Sequence, residues 1–66
     1  MISVTSSNIV AVGYDSQRRT LRVQFHNGTY DYDNVPESVY YALLNAPSKG
    51  KHFSRFIKGH YITHRL

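Results

Sequence analysis

Lys51, Arg55 and Lys58 stand at i, i+4 and i+7, the spacing that lines side chains along one face of a helix. With Lys49 and Arg65 they supply all the formal positive charge of the stretch Lys49–Leu66, which contains no acid. A row of this kind can follow a phosphate backbone, because each ammonium or guanidinium group neutralises a phosphate and releases its counterion. Tyr61 beside this segment and Tyr41 upstream are the aromatics placed to stack on unpaired bases. The simpler reading of any charge run is a solvated helix face. Here all four acids (Asp15, Asp31, Asp33, Glu37) precede the run, facing three arginines there for a net charge of −1. The excess that gives the chain its +4 is therefore local, which argues for a polyanionic partner, either RNA or another polyanion.

Other residue sets point to chemistry less well. Asp31, Asp33 and His26 are expected on one strand face, where a Mg²⁺ site is conceivable, but Arg22 and Thr29 share that face and can satisfy the carboxylates. His60 and His64 have an i, i+4 spacing, yet no cysteine or third ligand accompanies them, so exposed imidazoles are expected. Ser48-x-x-Lys51 lacks the large scaffold that serine chemistry on this motif needs. Lys49-Gly50-Lys51 is no phosphate loop, because Asn45 stands at the first glycine position and His52 replaces the Mg²⁺-binding hydroxyl. No catalytic residue, metal or cofactor is assigned, and the chain reads as a noncatalytic binding module. A protein-interaction module docking on an acidic protein is the alternative.

The elements that must hold these residues are legible from periodicity. Ile9–Tyr14 reads as a strand, and Leu21, Val23 and Phe25 alternate with Arg22, Gln24 and His26 in a second. Asn27-Gly28 is a hairpin signal leading into a third strand, Thr29–Tyr32. Centred on that dipeptide, the register pairs Phe25 with Tyr30, Val23 with Tyr32 and Arg22 with Asp33, so Tyr30 and Tyr32 face the core. Pro36–Ala46 reads as a helix with Val39, Tyr40, Leu43 and Ala46 sharing one side. Ser48 caps a second helix running to Lys58, ended by Gly59, with Phe53, Phe56 and Ile57 inward. Tyr61–Leu66 reads equally as a short strand or an extended tail. The expectation is an α+β domain: a three-stranded antiparallel β-meander with two C-terminal α-helices packed on one face. Its core is Val10, Val12, Leu21, Val23, Phe25, Tyr30, Tyr32, Val39, Leu43, Phe53, Phe56 and Ile57.

Sixty-six residues make a single domain, 1–66, with 1–8 expected to fray. The start has neither the charged nor the apolar region of a signal peptide, and the longest apolar run, Ile9–Val12, is too short to cross a bilayer. Absence of cysteine fits a cytoplasmic protein held by packing alone, with no membrane partner.

The order of short motifs resembles the KTSC domain family. They are Ser7-Asn8-Ile9, Gly13-Tyr14-Asp15, Leu21-Arg22-Val23-Gln24-Phe25, Gly28-Thr29-Tyr30-Asp31-Tyr32, Val35-Pro36 and Ala46-Pro47-Ser48-Lys49-Gly50, followed by Phe53, Ile57 and Tyr61. The family is named from the C-terminus of some lysyl-tRNA synthetases and also occurs as small free-standing proteins of bacteria and phages. The resemblance implies an RNA-binding module through the synthetase context, and nothing about aminoacylation. Asp33-Asn34 departs from the family pattern, which often has an aromatic before Val-Pro, and sets a negative charge near the tyrosine pair.

Overall fold

In the computed structural model, which describes residues 2–3 and 8–66, the chain forms one antiparallel sheet and two helices. The strands are β1 (Ile2–Ser3), β2 (Ile9–Asp15), β3 (Thr20–Phe25), β4 (Gly28–Tyr32) and β5 (Thr63–Arg65), lying in the order β1-β2-β3-β4-β5. Helices α1 (Glu37–Asn45) and α2 (Lys49–Phe56) sit between β4 and β5 in sequence. The expected meander is thus the centre of a wider sheet, with a short strand added at each edge. Ile2–Ser3 pairs with Val12 and Ala11, which corrects the expected fraying there. Residues 1 and 4–7 lie outside the described residues, and Asn8 is an exposed bend leading into β2.

One face of the sheet is apolar and carries both helices. Leu21 and Val23 on β3, Tyr32 on β4 and Val12 on β2 are buried, and Leu43 of α1 and Phe53 and Ile57 at α2 close over them. Removing these side chains from water is the main stabilising term available to a chain this small. The other face is polar: Arg22 and Gln24 are exposed between buried neighbours, as a half-buried strand requires.

A bulge in β2 decides which of its residues reach the core. Val12 pairs with Val23 and Tyr14 with Leu21, but Ile9, rather than Val10, pairs with Phe25. The extra residue, Val10, shifts the alternation by one, so Ile9 is 1% exposed and Val10 is only half-buried. The core therefore takes Ile9 in place of Val10. It also gains Ala11, Val35, Tyr40 and Ala46, while Phe25, Tyr30 and Val39 pack half-buried against it.

The β3–β4 hairpin differs in register from the sequence reading by two residues. Phe25 pairs with Gly28, Val23 with Tyr30 and Leu21 with Tyr32, so His26-Asn27 forms the corner. A shift of two preserves faces, and Tyr30 and Tyr32 stay on the core side as expected. It changes the cross-strand partners on the outer face, where Arg22 meets Asp31 instead of Asp33.

Pro36 precedes α1 and Glu37 occupies its first turn, as anticipated, and Ser48 caps α2 by accepting from the Lys51 N–H at 3.4 Å. Helix α2 stops at Phe56, two residues early. The Ile57 and Lys58 N–H groups both donate to the Phe53 carbonyl, which closes the last turn, and Gly59 follows at φ 79. The C-terminal stretch resolves as a strand: Arg65 pairs with Tyr30, His64 with Asp31 and Thr63 with Tyr32.

The bulge makes adjacent residues unequal. Ile9→Ala should lower the unfolding free energy by about 2–5 kcal/mol, and Val10→Ala by less than about 1 kcal/mol, measured from urea midpoints. Equal losses would contradict the bulged register.

Candidate nucleic-acid interface

The sheet keeps Asp31 and Asp33 on the face opposite the helices, while Glu37 lies on α1. On the open face Arg22 clasps Asp31 through two bonds, Nε to Oδ1 at 2.7 Å and Nη2 to Oδ2 at 3.0 Å. The bonded guanidinium holds the Asp31 carboxyl below its ordinary range. His64 Nε2 lies 2.8 Å from Asp33 Oδ2. Asp15 Oδ1 accepts the Gln17 and Arg18 N–H groups and shapes the β2–β3 turn. The carboxylates expected near His26 thus have local partners. His64 is exposed as expected, and in addition meets Asp33. Among the described residues, Arg22–Asp31 is an ion pair and His64 sits within hydrogen-bond distance of Asp33, and no carboxylate lies within salt-bridge reach of Lys49, Lys51, Arg55, Lys58 or Arg65.

The structure splits the row of cations. Lys51 and Arg55 stay together, exposed on the outer side of α2. Lys58 falls beyond the helix end, which corrects the three-member stripe, and borders a groove on the sheet side of α2. Lys49 donates from Nζ to the Ala46 carbonyl at 3.2 Å and so spans the α1–α2 junction. Arg65 comes from β5: its guanidinium lies over the Tyr30 ring at 5.8 Å and donates to the Asn27 carbonyl at 3.2 Å. A Cβ on Gly28 would meet Arg65 Nη2 at 3.4 Å, an ordinary contact with the far end of a flexible side chain. Tyr41 is 52% exposed beside Tyr40, and Tyr61 is half-buried where α1 approaches α2.

Phe56 also lies elsewhere than the sequence reading placed it. Expected in the core, it is 52% exposed on α2. Phe53 and Ile57 define the buried side, and Phe56 falls on the flank toward α1, against His52 at 4.7 Å between ring centroids. The Arg55 guanidinium lies 5.4 Å from its ring centroid. Spacing alone could not reveal this, since three apolar residues on so short a helix do not define the centre of the buried arc.

The groove beside Lys58 encloses about 530 Å³ between α2 and the β3–β4 hairpin. Phe25, Tyr30, Tyr32 and Phe53 form its aromatic lining, and Asn8, Ile9 and Gly50 also border it. Phe53 meets Phe25 and Tyr32 edge-on at 5.1 and 5.5 Å. Several of the motifs that carried the family resemblance thus converge in space. A model of the KTSC domain matches residues 5–61. The chain belongs to the KTSC domain family.

Its relatives occur in two settings. The chain is 42% identical over 67 positions to a lysine–tRNA ligase of Nostoc punctiforme, covering 100% of this chain and 12% of that enzyme. It is also 40% identical over 58 positions to a protein of Stutzerimonas stutzeri, covering 86% of this chain and 82% of that one. The crystal structure of a KTSC domain protein from Yersinia pestis matches with a TM-score of 0.95 and 40% identity, covering 97% of this chain and 92% of that one. The KTSC domain is thus found both as an appended part of a synthetase and as most of a small protein. Among the described residues no helix is long and apolar enough to cross a membrane.

The two tyrosines of β4, Tyr30 and Tyr32, are unequal. Tyr32 is 4% exposed, and burial pushes its hydroxyl up to about 12, with Tyr30 adding to the shift. Folding favours the neutral phenol, so this contribution to stability is complete below about pH 10, the unfolded value, and is lost as pH rises toward 12. An ultraviolet titration should show a late-ionising tyrosine that disappears in Tyr32→Phe, and that variant should resist alkaline unfolding better than the parent.

Proposed function

We propose that this KTSC domain is a noncatalytic RNA-binding module that engages the phosphate backbone through α2. The observation that carries this reading is the set of unneutralised cations on the helix side, with Asp31 and Asp33 paired on the opposite face of the sheet. Lys51 and Arg55 make the primary contacts, because both are exposed on one face of a helix whose other face is anchored in the core. Lys49, Lys58 and Arg65 border the same side of the molecule and add attraction at longer range, with Tyr41 and Tyr61 as nearby aromatics. Occurrence of the domain within lysine–tRNA ligases supports RNA as the polyanion. Phosphate contacts position a strand without reading it, so sequence preference is weak.

Fluorescence anisotropy with labelled single-stranded RNA tests the reading. Log K should fall with log[salt] by about 0.7 for each phosphate contacted. Reversing both charges, Lys51→Glu with Arg55→Glu, should remove binding at low salt, whereas Arg18→Glu beside the open sheet face should leave most of it. Equal losses from the two changes would mean a diffuse net-charge effect and would overturn a site on α2. Capture of an acidic protein that survives nuclease, with no affinity for RNA, would favour the protein-interaction reading instead.

A further inference from the structure

We infer that Phe56 is a stacking platform for an unpaired base of single-stranded RNA, seated in the shallow cleft between α1 and α2. The inference rests on the RNA-binding reading above and names the feature of RNA that the site prefers. Two independent observations meet at Phe56.

First, a large apolar ring stands 52% exposed although the same helix buries Phe53 and the next residue, Ile57, is buried too. Its cleft, about 400 Å³, is walled by Val39, Ala42, His52 and Tyr61. It is open and shallow, suited to a flat ring more than to a side chain enclosed on all sides.

Second, the ring is framed by positive or protonatable groups. The Arg55 guanidinium lies 5.4 Å from the ring centroid and the His52 ring 4.7 Å away, with Lys51 one residue before His52. Among the described residues none of these three pairs with a carboxylate. An apolar protein surface docking here would have to desolvate Arg55 without compensation, which is costly. A nucleotide satisfies both features together, because its base supplies a π face for Phe56 and its phosphate supplies charge for Arg55 and Lys51. Every base has such a face, so the contact tolerates any sequence, and a duplex keeps its bases stacked internally and cannot use it.

The test compares the wild-type protein with Phe56→Leu, which keeps apolar volume at an exposed position but removes the aromatic face. The probes are a short single-stranded RNA carrying one 2-aminopurine, the same strand with that base deleted, and a duplex of equal length. Stacking on Phe56 should change 2-aminopurine emission, and Phe56→Leu should abolish the change and weaken single-strand binding about tenfold. Duplex affinity should be the same for both proteins. If Phe56→Leu retains single-strand affinity and the emission change, or if deleting the base costs nothing, the stacking role is wrong while RNA binding stands. If the wild-type protein binds neither RNA, both fall.

Discussion

The contact on which the molecule's geometry turns is that of Phe53 with the aromatic floor of the sheet. Its ring meets Phe25 and Tyr32 edge-on, and Phe25 in turn meets Tyr30 edge-on at 5.8 Å. Such arrangements set the positive edge of one ring against the negative face of another. Helix α2 has only eight residues, too few to persist alone in water. Phe53, with Ile57 just after the helix, supplies the burial that holds it against the sheet. The exposed positions of α2 are a consequence: once Phe53 points inward, Lys51 and Arg55 must point outward and Phe56 must lie on the flank.

The sheet performs the matching task for the acids. Alternation along β3 and β4 sends Arg22 and Asp31 to the face that carries no helix, and β5 brings His64 to Asp33 on that side. Each such pair adds little stability because it is exposed. Its larger effect is on the field, since Asp31 and Asp33 are held on the face away from α2 and Glu37 is the acid left among the helices. Charge segregation is therefore built from strand alternation and one helix anchor.

Much of this was legible in the residues themselves. Period-two alternation located β3 and its faces, Pro36 and Glu37 marked the start of α1, and Ser48 marked the cap of α2. What escaped depended on long-range packing. The Val10 bulge is invisible in a run of four apolar residues, because any of them can face inward. The two-residue shift at His26-Asn27 leaves side-chain faces unchanged, so the hydrophobic pattern cannot detect it. Strand β5 has an exposed Thr-His-Arg sequence and exists through partners distant in the chain: Asp33 N–H donates to Ile62, and Leu66 N–H donates to Thr29. For the candidate interface, residue types identified the cations, but the early end of α2 removed Lys58 from the stripe, and a buried side set by Phe53 and Ile57 left Phe56 on the flank.

The claim at the centre of this account is that α2 offers a pre-positioned cationic and aromatic face to single-stranded RNA. Backbone amide shifts of the isotope-labelled protein, followed by nuclear magnetic resonance while single-stranded RNA is added at low salt, test it most directly. The account predicts shifts concentrated on residues 49–58 and on Val39, Ala42 and Tyr61 across the cleft, with the open sheet face around Arg22, Asp31 and His64 unmoved. Shifts confined to that open face, or an unchanged spectrum at saturating RNA, would contradict it.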